Sequence, residues 1–456
     1  MLLLSLRELC FTARAYVRAG KSNLTRRRLV VLCVATTLLY ASFPAVRYVN
    51  VLDAAKLPAD STVAQITLGV THTQYSLDET STLAPARKAR LVLATTARLQ
   101  NQHLMGWGAG NPEPRPGKYN WADLDNRMAI IRETGGVPML TACCAPDWMK
   151  GGAAGQTDWK RLEDAPTPAH VPDFARLVAE VLQRYPDIRY VQVWNELKGF
   201  WDPTRNQWNI EAYTDLYNAV FGAAKAVNPR IEVGGPYVPM DSWSAPTAGG
   251  RPSGLRGTWG ILDQGALDAV DYWLNHAEGA DFICIDGGTA TRDQGLITDP
   301  ITANEKYVAV TSWLKTRTAL PIVWSEFRPA IAPPDPPGSR RLASVTADAI
   351  ARLTISGASA GLLWQPREDP NAGQSDSVSS ALWRDRTGAE LPLAHVMSWW
   401  VANVHVGGSI VLFSGPGLDV VVAGGSSLFI NMSHRPIYAW YGERLVTVPA
   451  YGTVVV

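Results

Sequence analysis

From about residue 65 the chain alternates short apolar runs with stretches in which apolar residues recur every three or four positions, the pattern of strands and amphipathic helices in turn. Eight runs read as strands: 64–70, 104–107, 137–141, 190–195, 232–235, 282–286, 322–325 and 361–364. The helices between them have plausible ends. One at 121–134 follows Asn120 as an N-cap, one spans 171–185, and one at 210–227 stops before Asn228-Pro229. Strand–helix alternation of this kind predicts parallel strands, and eight units over about 330 residues predict an α/β fold, a (β/α)₈ TIM barrel spanning 64–398. Two stretches that follow strand ends, Ser242 to Gly260 and Arg328 to Arg341, are rich in Gly, Ser or Pro and read as enlarged loops walling a cleft.

After about residue 400 the pattern changes to alternating runs at 409–413, 418–423, 427–431, 437–441, 445–448 and 453–456, with no helix between them. Gly407-Gly408, Gly415-Pro416-Gly417 and Gly424-Gly425 supply turns, so 399–456 is expected to form a small C-terminal antiparallel β domain. Trp440, Tyr438 and Tyr441 are its only clustered aromatics, which favours a structural cap over a carbohydrate-binding module.

The other end differs again. Residues 1–28 are basic, with Arg26-Arg27-Arg28 just before an almost unbroken apolar run from Leu29 to Val46, long enough at about 1.5 Å per residue to reach across a hydrocarbon core. Residues 29–49 are therefore expected to be a transmembrane helix, with 1–28 cytoplasmic, 50–63 a linker and the remainder extracytoplasmic. A cleaved signal peptide is the rival, but the basic leader is long and no clear small-x-small site follows the run.

Composition narrows the partners. Across 456 residues, 42 Lys+Arg against 41 Asp+Glu give a net charge of +1, which argues against nucleic acid, because phosphate binding needs a concentrated basic surface. Seventeen Trp are many, and a fraction of them are expected to stack on sugar rings. The five Cys fit no disulfide framework and are expected to be buried small hydrophobes. The seven His show no paired ligand spacing, so neither a metal nor another cofactor is expected.

The chemistry concentrates at two strand ends. Tyr190-Val191-Gln192-Val193 runs into Trp194-Asn195-Glu196-Leu197, and Pro321-Ile322-Val323-Trp324-Ser325 runs into Glu326. In a parallel barrel the C-terminal strand ends carry the active site. Two glutamates there are what glycosidic bond cleavage requires, one carboxyl to protonate the departing oxygen and one to stay ionised on the sugar's other face. Asn195 is placed to bond a sugar 2-hydroxyl. His72, Tyr75, Trp107, Trp148 and Tyr237 follow strands one, two, three and five and are expected to line the cleft, with Asp286 on strand six contacting a hydroxyl or serving the fold. Arg328, two residues past Glu326, is expected to favour its ionised form. Asp147 is the alternative partner for Glu196 in an inverting arrangement.

On these residues the chain resembles the clan A retaining glycoside hydrolases and is most similar to family 39. Asn195-Glu196 ends the fourth strand and Glu326 the seventh. The segment 117–125 (GKYNWADLD) resembles the clan's stretch after strand two, 145–149 (APDWM) its Pro-x-Trp after strand three, and Gly234-Gly235-Pro236 the family's fifth strand. The resemblance covers about 65–395. It implies that Glu196 is the acid/base, Glu326 the nucleophile and Trp364 the aromatic floor beneath the sugar. The chain departs from the clan at strand six, where Cys284-Ile285-Asp286-Gly287-Gly288 stands in place of the usual His and Tyr. The expected activity is retaining hydrolysis of a cell-envelope or extracellular polysaccharide or glycolipid. The alternatives are a transglycosylase using the same glutamates, or a carbohydrate-binding protein without turnover.

Overall fold

The computed structural model describes residues 51–73, 77, 83–295, 299–331, 335, 338–368 and 380–456. Within it eight strands close a barrel in sequence order: β1 Thr67–Thr71, β2 Leu99–His103, β3 Val137–Ala142, β4 Tyr190–Val193, β5 Glu232–Pro239, β6 Phe282–Gly288, β7 Ile322–Arg328 and β8 Ala360–Trp364. Every neighbouring pair is parallel, and β8 closes on β1 with Trp364 opposite Thr71. A helix follows each strand, in order Leu83–Thr96, Ala122–Glu133, Val171–Arg184, Ile210–Val227, Gln264–His276, Glu305–Lys315, Arg340–Ser356 and Pro392–Asn403.

Local sequence explains these elements. The helix Val171–Arg184 buries Phe174, Leu177, Val178, Val181 and Leu182, a stripe spaced by three and four residues that faces the barrel. Ile210–Val227 is capped by Asn209, whose side-chain oxygen accepts from the Ala212 amide at 3.2 Å. It ends at Asn228, whose extended backbone is the conformation that a following proline favours.

Strand two is not where the apolar pattern put it. It is formed by Leu99–His103, a mostly polar run with all five residues buried, and not by 104–107. The reason is a ring of hydrogen bonds inside the barrel. Thr71 Oγ1 donates to the Ser325 carbonyl (2.7 Å), Asn101 Nδ2 to Thr71 Oγ1 (3.2 Å) and Thr141 Oγ1 to Asn101 Oδ1 (3.0 Å). Gln192 Nε2 donates to Thr141 Oγ1 (2.6 Å), and Ser325 Oγ to Gln192 Oε1 (2.5 Å). All five residues are fully buried. Polar groups survive burial only when they are bonded, and this ring satisfies one strand with the next around much of the barrel. It lies along the chain just before Asn195 and Glu326, so it forms the floor on which they stand.

Two inserts rise from the strand ends. After β4 a short hairpin pairs Trp201–Asp202 with Gln207–Trp208, and after β5 Ser242–Trp243, Pro252–Gly257 and Gly260–Asp263 form an antiparallel sheet. The expected loop 242–260 thus carries strands at 242–243 and 252–257 and opens a third at Gly260. The other, Arg328 to Arg341, lies partly outside the described residues.

The C-terminal segment forms antiparallel strands, and 54–63 departs from the expected linker. Ala59–Val63 pairs with Ser409–Gly415 at the edge of the five-stranded sheet, and Ala54 is buried with Leu418, Val420 and Phe429. Three polar residues in a row, Asp60-Ser61-Thr62, and exposure along nearly the whole strand left no apolar alternation to mark this edge strand. The cysteines also differ from expectation. Cys143 and Cys144 are joined by a disulfide between adjacent residues, while Cys284 is free and buried. A bridge between neighbours encloses no loop, so spacing gave no sign of it. The expected transmembrane segment, 29–49, lies outside the described residues; among those described, no helix is long and apolar enough to cross a membrane.

Candidate active site

Glu196 sits in a tight turn off β4. Trp194, Glu196 and Leu197 all have left-handed backbone, with φ of 68°, 51° and 52°. Residues with side chains hold such angles only where their surroundings enforce them. The enforcing contacts are visible: Trp194 is fully buried edge-on to Phe174 and Phe200, and its indole N–H donates to the Lys198 carbonyl at 2.6 Å. Anchored in this way, the turn projects Glu196 toward β6 and β7.

There it meets Asp286 and Glu326, whose Cα atoms are partners across the β6–β7 ladder. Carboxylate oxygens of Glu196, Asp286 and Glu326 all lie within 4.8 Å of one another. Three acids this close could hold a cation, but side chains already supply positive charge: Lys198 Nζ lies 2.7 Å from Glu196 Oε2 and 3.0 Å from Glu163 Oε1. On the other side Tyr237, fully buried and also left-handed in backbone (φ 53°), donates its phenol O–H to Glu326 Oε1 at 2.6 Å. The phenol beside Glu326 therefore comes from β5, while β6 offers Asp286 where the resembled clan places its Tyr.

These surroundings divide the protons. Burial opposes charge on Glu196, yet the Lys198 ammonium, the bond from Asp286 and the Arg328 charge together hold its carboxyl below the ordinary value. Glu326 goes the other way, pushed up to about 8 by burial and then by the charge of Glu196, against the opposing pull of the Tyr237 bond, Lys198 and Arg328. Asp286 is held well above the ordinary range by burial and next by Glu196, which makes it the hydrogen-bond donor between them. Burial, together with the charge of Glu326, also raises the Tyr237 phenol far above its usual value, so it stays a donor.

The other expected residues fall into two groups. Asn195 is buried beside His103, with its Oδ1 unpartnered, and Trp107 stacks on His103 at 4.3 Å with Lys198 Nζ 5.0 Å above its ring. Burial lowers His103 to about 3, leaving it neutral. Trp364 ends β8 half-buried, and Arg328 ends β7. The structure does not bring the remainder to the carboxylates. His72 is buried in the barrel, bonded to Gln100 at 3.1 Å and lowered to about 4 by burial. Trp148 donates its N–H to the Glu113 carbonyl at 2.9 Å and packs edge-on to His170. Asp147 is held in its own loop, 3.6 Å from Lys150 and accepting from the Asp158 amide at 2.5 Å, so it is not placed as a partner for Glu196. Tyr75 lies outside the described residues.

Sequence reasoning missed Lys198, His103 and the hairpin tryptophans Trp201 and Trp208, while the insert 242–260 that was read as a cleft wall brings Trp243 to the cavity. A cavity of about 590 Å³ opens beside Glu196, lined among others by Lys198, Trp201, Trp208, Trp243 and Arg251. The two tryptophans flanking the turn 202–207 were the available signal, since Trp at both ends of a short hairpin is a pairing motif; they meet edge-to-face at 5.7 Å.

The chain matches no protein-family profile and no curated protein. Its fold is similar to those of several solved structures, glycoside hydrolases among them. The monomeric beta-xylosidase from Caulobacter crescentus CB15 aligns at 16% identity and TM-score 0.55 over 86% of this chain and 77% of that one. A family 39 glycoside hydrolase from Bacteroides cellulosilyticus WH2 aligns at 12% identity and TM-score 0.54 over 86% and 80%. SrfJ from Salmonella typhimurium aligns at 12% identity and TM-score 0.56 over 86% and 90%. At the level of fold the chain is like family 39 along most of its length.

Proposed function

We propose that this chain is a retaining glycoside hydrolase in which Glu326 is the nucleophile and Glu196 the acid/base. The observation that carries the reading is the approach of Glu196 and Glu326 oxygens to within 4.8 Å from separate strand ends of the barrel. Retaining enzymes hold their two carboxyl groups about 5–5.5 Å apart, whereas inverting ones leave about 6.5–9.5 Å for a water. In the first step the Glu326 carboxylate bonds to the anomeric carbon as the glycosidic bond breaks and Glu196 gives its proton to the leaving oxygen. In the second, Glu196 takes a proton from water, and the resulting hydroxide displaces Glu326. Trp364 is the floor of the sugar site, and Asn195, with its unpartnered carbonyl oxygen, accepts from a sugar hydroxyl. Trp107, Asp286, Arg328 and Tyr237 complete this site from the other strand ends. The cavity beside Glu196, with Trp201, Trp208 and Trp243, takes the leaving group.

The substrate we infer is a cell-envelope or extracellular polysaccharide or glycolipid, reached from a membrane anchor at 29–49 with the barrel outside. The test is chemical rescue. Glu326→Ala should lose cleavage of an activated aryl glycoside, and azide should restore it by forming a glycosyl azide of inverted configuration. With Glu196→Ala the azide product should keep the substrate's configuration. Full activity in Glu326→Ala would refute the assignment.

A further inference from the structure

Each of the two glutamates has a close partner of its own. The group assigned as proton donor is ion-paired, and the group assigned as nucleophile is bonded by a phenol O–H in a buried setting. Both contacts favour the charged form of the carboxylate they touch, so Glu196 can serve as proton donor only once its ion pair loosens. What holds Glu196 as a carboxylate can be read from the groups facing it. These are His103 on β2, Asn195 and Lys198 on its own turn, Tyr237 on β5, Asp241 in the insert after β5, Asp286 on β6, and Glu326 and Arg328 on β7. His103 is neutral, Asp286 and Tyr237 are donors, and Asp241 is raised mainly by its burial. The cation in direct contact is Lys198, at 2.7 Å.

Lys198 also has a second anchor. Its Nζ lies 3.0 Å from Glu163, on the loop after β3, while the same ammonium caps the Trp107 ring at 5.0 Å. The side chain of Glu163 is half exposed and that of Lys198 lines the cavity. Moving from one carboxylate to the other therefore requires only that one contact lengthen. A sugar ring entering the cavity reaches the Lys198–Glu196 pair from its open side.

We propose that Lys198 is a positioning residue for the proton donor: it clamps Glu196 as a carboxylate and yields to Glu163 when a leaving-group sugar fills the cavity. Glu196, relieved of its ion pair, then takes up from solvent the proton that it gives to the leaving oxygen, while Tyr237 keeps its O–H bond to Glu326. This rests on the roles assigned above, but its central measurement does not need turnover.

The experiment is a carboxyl titration of the full chain labelled with δ-¹³C glutamate, followed by NMR, with Glu196→Gln and Glu326→Gln identifying the two resonances. In Lys198→Met the Glu196 midpoint should move to higher pH, and that of Glu326 should follow, because both lose a nearby cation. Lys198→Arg, which keeps the charge, should titrate near the wild type and serves as the control for a disturbed fold. Glu163→Gln should move Glu196 further down, since the ammonium is no longer shared. A Glu196 midpoint unchanged in Lys198→Met overturns the clamp, and one unchanged in Glu163→Gln overturns the second anchor. On an activated aryl glycoside, both limbs of the kcat/KM profile should move to higher pH in Lys198→Met but not in Lys198→Arg; static limbs in the methionine variant also overturn it. None of these failures touches the azide-rescue assignment, and loss of that assignment leaves the titration meaningful.

Discussion

Two clusters of buried acids sit at different places on the barrel, and they have opposite characters. One is Glu196, Asp286 and Glu326 with Lys198. The other is Asp348 and Asp419 with Arg352 and Glu305, where the helix Arg340–Ser356 meets the C-terminal sheet. In both, one carboxyl is raised well above its ordinary value by burial and then by a neighbouring acid: Asp286 in the first, Asp419 in the second. In the second cluster the two aspartates are enclosed, and Glu305 at its edge reaches solvent. Asp348 is fully buried, takes Arg352 Nε at 2.9 Å and Asn304 Nδ2 at 2.7 Å, and Arg352 also pairs with Glu305. In the first, Lys198 and Glu196 retain exposures of 29% and 24% and open on a cavity. The difference is what separates a structural tie from a site: both cost desolvation, but only the first opens its charges on a cavity.

The sharpest way to break the comparison is to neutralise each cluster. Glu326→Gln should lower kcat on an activated glycoside by about 10⁴-fold or more, with the protein still folded, as measured by initial rates and circular dichroism. Arg352→Met should leave kcat unchanged and lower unfolding free energy by about 3 kcal/mol in a denaturant titration, because it strands Asp348. If Arg352→Met lost activity without losing stability, the division between tie and site would be wrong.

The sequence made the first cluster partly legible. Glu196 and Glu326 stood out because each ends an apolar run, and the eightfold alternation placed those runs as strands four and seven. The same rule misplaced strand two, since it looks for apolar residues. Gln100, Asn101, Gln102 and His103 are buried because their partners come from β1, from β3 and from the helix after β2, at separations that pattern cannot connect. Lys198 was missed for a similar reason. A lysine two residues past a strand-end glutamate looks like a solvated loop charge, and only the left-handed turn at Glu196 and Leu197 folds it back onto its neighbour. His72 and Trp148 failed in the reverse direction: strand-end position was read as cleft, but Gln100 and Glu113 hold them inside the framework.

A smaller effect tests the phenol from β5. Tyr237→Phe removes the donor 2.6 Å from Glu326 without changing much volume, and should lower kcat/KM by about tenfold to a hundredfold, the worth of a hydrogen bond to a charged group. If the clan's usual phenol from strand six were being replaced by another residue, the loss would be negligible and Tyr237 would belong with the structural contacts.

The finest contrast lies within the first cluster, in how each glutamate ties stability to pH. Glu326 in the folded chain binds its proton up to about pH 8, whereas its ordinary value is 4.5. The native state therefore holds a proton that the unfolded chain has released, so this stabilisation is complete below about 4.5 and is lost as pH rises through about 8. Glu196 has the opposite sign: its value is lowered on folding, so its contribution is present above the ordinary value and is lost on acidification. Thermal melts across this range should therefore show Glu326→Gln flattening the decline in Tm toward pH 8, and Glu196→Gln flattening the decline on the acid side. Two adjacent carboxyls with slopes of opposite sign would show that folding itself separates their charges. Slopes of the same sign would mean that the acids share one averaged environment, and the distinction between Lys198 on one side and Tyr237 on the other would lose its force.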